Sequence, residues 1–365
     1  MPLDLRMLEP AAPGMRLKLA ALPALLHLLT GLLRARGLGW RDRRGALALG
    51  LWLRRAPAGP APDVSVRNWL DELGQTPRAC RLLWEPLCLA ALNTPPERAS
   101  ARIFARVLRD ALLDRRSSSD LLLPRLDLGE VFPEPAAQTV ERAGGKVELG
   151  RRVTALCLGA DGIDGVRAGA ELLAAGHVVV ATSSTVAARL LGAHPGLDAL
   201  GARIARLRHQ PITTVYLQYP AGTSTGHPLI GLSGTATQWV VDRAVCGQPG
   251  LMAAVISAEG PHMRLGTREL AARTAAELAR VFPRWPAPVQ LEVVREKRAT
   301  FSCDAGVDAL RPAARTPVPG LWLAGDYTAT PYPGTLEGAV RSGIECAEEI
   351  AREAAQGRPP SRGAQ

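Results

Sequence analysis

The 365 residues predict an α/β chain with α+β stretches, divided between two domains. Three observations carry that expectation. Gly320–Gly343 reads as a short buried strand, Leu321 to Ala324, that runs into Gly325 and Asp326, then a turn-rich loop, then an apolar helix opening at about Leu336. Upstream, His177-Val-Val-Val-Ala181-Thr reads as a second buried strand, feeding a helix at about Thr185. A chain of this length that is 47% hydrophobic also has room for two cores.

In order along the chain, Leu17 to Leu33 is apolar except for Lys18, His27 and Thr30, with Arg16 before it and Arg34 and Arg36 after it. Its uninterrupted part, broken by Pro23, falls short of the ~20 residues a spanning helix needs, and no signal-type cleavage site follows. An interfacial or substrate-channel helix, or a buried one, is expected. After it, Gly37-Leu-Gly39 is the nearest approach to a G-x-G-x-x-G turn, but it lacks the third glycine and a preceding strand. Met1 is therefore expected to be an internal start, with a first βαβ unit of ~30 residues upstream or lost.

A Pro-rich linker, Ala56 to Pro62, leads to amphipathic helices broken by proline, from Val66 through Trp84 and Asn93, then Arg102 to Leu113. Gly144-Gly turns into strand-like residues around Val153, and Ala160-Asp-Gly162 closes a hairpin. Thr213–Tyr219 and Leu251–Ser257 are β-like, and Arg268 to Val281 is a helix that stops before Pro283. The polar tail after Ala354 is expected to be disordered. The resulting division is a substrate-binding helical region at 1–135 and its sheet half at 196–315, a cofactor-domain segment at 136–195 with its C-terminal partner at 316–353, and a tail at 354–365.

Net charge is +10, mostly from arginine, and aromatics are only 4%. An anionic membrane could meet such a surface, whereas no basic platform interleaved with aromatics points to nucleic acid. Cys80, Cys88, Cys157, Cys246, Cys303 and Cys346 contain no C-x-x-C pair. Their spacing suits reduced, mostly buried thiols of a cytoplasmic protein, with no metal site expected.

The C-terminal segment carries the chemistry. A strand ending in a small residue and an acid, followed by an exposed helix N-terminus, can hold a polar, anionic cofactor. The carboxylate takes a sugar hydroxyl, and the unpaired N–H groups of the first turn face an electron-rich ring or phosphate. A plain strand–loop–helix accounts for the helix periodicity, since Leu336, Ala339, Val340, Gly343, Ile344, Ala347, Ile350 and Ala351 recur as one packed face would. It leaves Gly338, Ser342 and Gly343 unexplained, because each helical glycine costs ~1 kcal/mol relative to Ala. The close approach of a flat group or another backbone would justify them.

The Leu323-Ala-Gly-Asp326-Tyr-Thr and Thr335-Leu-Glu-Gly-Ala-Val-Arg-Ser-Gly343 runs resemble the C-terminal flavin-binding segment of the amine oxidase and phytoene desaturase superfamily. The resemblance implies a two-domain FAD-dependent oxidoreductase that lacks its first βαβ unit, with FAD held by Val153, Gly325, Asp326, Thr335, Leu336, Glu337 and Gly338. Trp84-Glu-Pro-Leu-Cys-Leu-Ala-Ala-Leu-Asn93-Thr-Pro, Leu121-Leu-Leu-Pro-Arg-Leu-Asp127-Leu and Lys297-Arg-Ala-Thr-Phe301 further resemble the hydroxysqualene dehydroxylase family. That implies reductive removal of a hydroxyl from hydroxysqualene to give squalene, a step of squalene and hopanoid biosynthesis. It also implies a polyprenyl substrate and a cytoplasmic chain peripheral on a membrane face.

No catalytic acid is identified; Asp127, Asp304 and Tyr332 are open alternatives to structural roles. Two other readings stay open. One is a phytoene-type polyene desaturase, which oxidises instead of reducing. The other is a non-catalytic remnant, or half of a split enzyme completed by a separate chain with the G-x-G-x-x-G unit. An amine oxidase fits less well, because Thr335 stands where that family tends to place a Tyr.

Overall fold

Burial alternates residue by residue from Ile212 along His209–Gln218, the pattern of a strand covered on one face. The computed structural model describes residues 1–355 apart from Ala11, Ala20, Ala21 and Pro23; positions 356–365 of the tail expected to be disordered lie outside the described residues. Its strands are β1 (Asp4–Glu9), β2 (Ala12–Lys18), β3 (Val153–Leu158), β4 (Ile163–Ala168), β5 (Glu171–Ala174), β6 (Val178–Val180), β7 (His209–Gln218), β8 (Leu229–Leu232), β9 (Trp239–Asp242), β10 (Leu251–Ser257), β11 (Gln290–Phe301) and β12 (Leu321–Leu323). Its helices are α1 (Ala24–Arg34), α2 (Trp40–Arg55), α3 (Val66–Glu72), α4 (Pro77–Ala79), α5 (Glu85–Leu92), α6 (Ala101–Arg109), α7 (Leu128–Val131), α8 (Pro133–Arg142), α9 (Ser184–Gly192), α10 (Asp198–Ala205), α11 (Thr267–Val281) and α12 (Leu336–Ala355).

Two compact units result, each made of two chain segments: 1–135 with 209–305, and 136–208 with residues from 306 onward. In the first unit a seven-stranded sheet runs β11-β7-β10-β9-β8-β1-β2, antiparallel except where β1 meets β8. Helix α11 covers it, burying Leu270 and Leu278 against Val215, Val240 and Met252.

Two sequence blocks from that unit meet at Asn93. This residue ends α5 in the left-handed conformation (φ 46°, ψ 34°), a place where asparagine is tolerated. Its buried amide donates to Thr300 Oγ1 (3.1 Å) and Pro211 O (3.3 Å). Its Oδ1 accepts from Ala258 N–H at 2.7 Å. Thr94 Oγ1 accepts from Cys303 N–H at 3.0 Å. The Asn-Thr-Pro block is thus a knot tying α5 to β7, β10 and the end of β11.

The apolar run Leu17–Leu33 is not one helix, which corrects the N-terminal expectation. Leu17 and Lys18 end β2, and α1 opens only at Ala24. The pairing of β1 with β2 claims the first residues, since backbone partners across a hairpin outweigh local helix preference. Gly37 (φ 80°) has no nucleotide-type turn around it; a Cβ there would fall 2.0 Å from Gly14 O, so the glycine lets Arg36 bridge to Arg16. Among the described residues no helix is long and apolar enough to cross a membrane. Cys80, Cys88, Cys303 and Cys346 are buried thiols outside any disulfide, Cys157 and Cys246 half-buried ones.

The second unit holds an antiparallel meander, β3-β4-β5, and a parallel pair, β12-β6, with Leu321 to Leu323 set against Val178 to Val180. Helix α12 packs on that pair through Cys346 and Ile350, against Trp322 and Ala324. This overturns most of the periodic face read from the sequence, of which Ile350 packs and Ala339 and Gly343 are half-buried. Leu336, Val340, Ile344, Ala347 and Ala351 are exposed, and the buried line is Gly338, Ser342 and Cys346. Small side chains win that face because they let the chain pass close: Ser342 Oγ reaches Gly325 N–H at the strand end (2.8 Å), and a Cβ on Gly338 would sit 2.9 Å from Pro333 O of the loop that enters the helix. Gly343 has open space around it, so close packing does not explain that glycine.

Candidate functional site

The candidate site stands at the carboxyl ends of two parallel strands, where open α/β sheets bind ligands. From Leu323 the chain passes through Gly325 (φ 142°), and a Cβ there would lie 2.8 Å from the Tyr327 ring. Tyr327 is fully buried, its hydroxyl 3.5 Å from Val180 O. Burial, seconded by the Asp326 charge, pushes its phenol well above the ordinary range and keeps it neutral. The Gly325 N–H donates to Ser342 Oγ at 2.8 Å, and that hydroxyl donates to Ala339 O at 2.7 Å. Ser342 therefore holds the strand end against the second turn of α12.

Arg311 anchors the loop that follows. Its side chain has no solvent exposure, and its guanidinium donates to Thr330 O (2.6 Å), Thr330 Oγ1 (2.9 Å) and Asp326 O (3.1 Å). Asp308 lies 3.3 Å away. Nothing in the sequence singled out Arg311, since a lone arginine among forty-four Lys and Arg residues carries no periodic or motif signal. Its role exists only because the chain folds Asp326–Thr330 around it.

Of the residues expected to contact a cofactor, Gly325, Asp326, Thr335, Leu336, Glu337 and Gly338 form one strand end–loop–helix junction, and Val153 opens β3 on the meander sheet of the same unit. Asp326 is half-buried. Thr335 Oγ1 accepts from Gly338 N–H at 3.1 Å, the geometry of a helix N-cap. Glu337 is exposed and pairs with Arg341 one turn on, at 2.6 Å. The N–H groups of Leu336 and Glu337 have no acceptor among the described residues, so the first turn presents two free donors at the positive end of a twenty-residue helix.

Of the three residues weighed as acids, Asp127 and Asp304 fall elsewhere, whereas Tyr332 lies in the loop that enters α12. Asp127 precedes the short α7 on an exposed loop. Asp304 accepts from Arg98 Nε (3.1 Å) and Ser302 Oγ (3.0 Å), a structural clamp. The Tyr332 ring lies 4.9 Å from the Arg341 guanidinium.

Gly325 can be tested directly. Gly325→Ala adds a side chain at positive φ against a buried ring, and a loss of about 2–4 kcal/mol is expected from strain and overpacking together. Amide exchange at Thr328, whose N–H donates to Gly325 O at 3.2 Å, reads it locally, and a loss below about 0.5 kcal/mol would contradict the geometry.

A family model described as flavin containing amine oxidoreductase matches residues 20–351. The chain belongs to that family, a class of FAD-dependent oxidoreductases. Over 338 residues it is 30% identical to a hydroxysqualene dehydroxylase of Rhodopseudomonas palustris, a match covering 85% of this chain and 75% of that one. A hydroxysqualene dehydroxylase of Sinorhizobium fredii is 31% identical over 280 residues, covering 73% of this chain and 61% of its own length. A 15-cis-phytoene desaturase of an Oncidium hybrid is 23% identical over 307 residues, 80% of this chain and 53% of that one. The fold is shared with a redesigned putrescine oxidase (TM-score 0.65, 17% identity, 96% and 82% coverage). It is shared too with a cyclohexylamine oxidase of Brevibacterium oxydans (TM-score 0.61, 17% identity, 97% and 81% coverage).

The residues present fit FAD at one end. The glycine turn at Gly325, the Asp326 carboxylate and the free donors of α12 suit a polar ring and its sugar chain. The sequence contains no G-x-G-x-x-G run of the kind that cradles a diphosphate between strand and helix.

Proposed function

We propose that this chain is the larger part of an FAD-dependent hydroxysqualene dehydroxylase, acting on a long polyprenyl alcohol. The observation that carries the substrate class is an apolar cavity of about 220 Å³ in the first unit, walled by Leu28, Leu32, Leu49, Leu53, Phe104 and Leu108 among others. Its described lining holds one ionisable group, Asp120. The volume lies below the ~300–1,000 Å³ of sites for drug-sized ligands, so it takes one end of a chain. Each methylene buried there contributes ~0.8 kcal/mol, and a five-carbon prenyl unit roughly 4 kcal/mol. The two dehydroxylase relatives, at 30% and 31% identity, favour this substrate over a phytoene-type polyene at 23%.

FAD, held by Val153, Gly325, Asp326, Thr335, Leu336, Glu337 and Gly338, would supply the hydride when reduced. In the overall change a C–O bond breaks, a C–H bond forms and water leaves. The protein's part is to hold the ring edge against the α12 donors, which stabilise negative charge there, and to keep water from the apolar chain.

A βαβ unit bearing the glycine-rich turn, supplied by sequence outside these residues or by a separate chain, would complete the cofactor site. Two features support this. Among the described residues the β12-β6 pair is a parallel sheet of two strands, whereas parallel sheets are normally wider and covered on both faces. Beside it, α12 leaves Leu336 73% and Ile344 53% exposed, a stripe that a further layer would cover. The chain would work in the cytoplasm as a peripheral membrane protein, because its substrate dissolves in bilayers.

The test is anaerobic incubation of hydroxysqualene with reduced FAD in D2O, which keeps the flavin's transferable hydrogen as deuterium, using this chain alone and with the glycine-rich unit added. Labelled squalene from the completed enzyme is expected. Unlabelled squalene would remove the flavin as hydride donor, and dehydrogenation of a polyene in its place would replace the reading with the desaturase one. Tight FAD in the chain alone would remove the need for a second piece.

A further inference from the structure

Residues 16–55 hold nine Lys or Arg and a single carboxylate, Asp42, which is eight of the chain's ten net positive charges. The fold sorts them. Asp42 is buried and turned back on Gly39 N–H (2.7 Å) and Thr76. Arg43 spends its guanidinium on carbonyls just past α1, Ala35 O at 2.7 Å and Leu38 O at 3.1 Å. Arg16 is matched by Asp4 at 2.7 Å, and that contact holds the Asp4 carboxyl well below the usual carboxylate range. The remainder, Lys18, Arg34, Arg36, Arg41, Arg44, Arg54 and Arg55, are exposed, with no ion-pair partner among the described residues.

Apolar side chains stand among these cations. Trp40 is 64% exposed, Leu33 48% and Leu51 45%. On α2, Trp40, Arg44, Leu51 and Arg55 recur at helical spacing on the outer face, while Ala46, Leu49 and Leu53 are buried on the inner one. That inner face, with Leu28 and Leu32 of α1, walls the apolar cavity. An open groove of about 380 Å³, lined by Arg16, Lys18, Arg34 and Arg36, adjoins α1.

We propose that the outer face of α1 and α2 docks on an anionic lipid bilayer. Trp40, Leu33 and Leu51 enter the interfacial zone, the arginines meet lipid phosphates, and the groove of Lys18, Arg34 and Arg36 takes a headgroup. A basic face with a tryptophan and leucines set into it is the pattern of a helix that lies in the interface plane. Nucleic acid would use the same cations but has no use for exposed leucines over an apolar cavity. Docking this way brings the bilayer to the two helices that wall the cavity, a direct route for a greasy substrate. The inference rests on the polyprenyl reading for that last step only.

The experiment is flotation of the full chain with phosphatidylcholine vesicles, with and without phosphatidylglycerol. Binding is expected at least tenfold stronger to the anionic vesicles and weaker as salt rises. Each arginine removed should lower partitioning about fivefold, so Arg41→Ser with Arg44→Ser should lower it roughly thirtyfold. Trp40→Ser should weaken binding at both salt levels. The control, Arg203→Ser with Arg206→Ser, removes the same charge from exposed positions of the second unit and should change binding less than about twofold. Equal losses in the control and in the Arg41/Arg44 variant would overturn the assignment, as would equal binding to both vesicle types or displacement by duplex DNA at stoichiometric concentration. Vesicle binding needs neither flavin nor turnover, so a chain that docks as described but lacks dehydroxylase activity keeps this inference and overturns the other.

Discussion

Arg311→Met is expected to destabilise the second unit by about 3–5 kcal/mol, with little effect on the first. The side chain is wholly buried and makes charge-assisted bonds to two carbonyls and a hydroxyl, on Asp326 and Thr330. Methionine fills similar volume but leaves those acceptors dry and unpaired, at ~1–3 kcal/mol each, not fully additive. Little of the cost comes from Asp308, whose carboxylate is 45% exposed and screened by water. Because two units make a single unfolding midpoint ill-defined, the proper readout is local. Amide exchange at Thr328 and Ala329 should speed by two to three orders of magnitude, about 3–4 kcal/mol of lost protection. Unchanged exchange there would show that Ala329 N–H, bonded to Pro312 O at 2.7 Å, holds the loop without the arginine. Retained FAD should fall in parallel if Asp326 holds it as proposed.

Asn93→Ala is expected to cost the first unit about 3–5 kcal/mol. Three losses combine. The Ala258 N–H loses its 2.7 Å acceptor, the carbonyl of Pro211 and the hydroxyl of Thr300 lose a donor, and alanine must hold a left-handed backbone that costs ~1–2 kcal/mol. Asn93→Gly separates these terms, since it removes the side chain but not the conformational fit, and should recover about 1 kcal/mol of the loss. Asn93→Asp keeps the Oδ1 acceptor but sets an ionised oxygen beside Pro211 O, so it should be at least as damaging as alanine at neutral pH and partly relieved in acid. Amide exchange of the β7–β10 ladder in the three variants gives the order; Gly no better than Ala would refute the strain term.

Much of the fold was legible in local pattern. The alternation in Thr213–Tyr219, the helix stopping before Pro283, the hairpin at Ala160-Asp-Gly162 and the strand running into Gly325 each depend on a few neighbouring residues, and all appear where expected. The N-terminal apolar run failed because its first residues are decided by a partner strand, not by their own neighbours. The α12 face failed for a related reason: hydrophobicity names the apolar side of a helix, but the side that packs is the one that fits. At this site small residues fit, and the greasy stripe is left outside.

The candidate site divides in the same way. By itself the sequence determined its family, the order of its segments, the Gly-Asp turn and the helix that follows. These are properties of contiguous runs, in which backbone conformation and side-chain type are set within a few residues. Only the tertiary structure decided that Arg311 and Ser342 hold the Gly325–Thr330 loop, that Asn93 joins Thr300 across 207 residues, and that one face of α2 collects arginines while the other walls a cavity. Each of those rests on atoms brought within about 3–4 Å by chain segments far apart, a distance that no local pattern encodes.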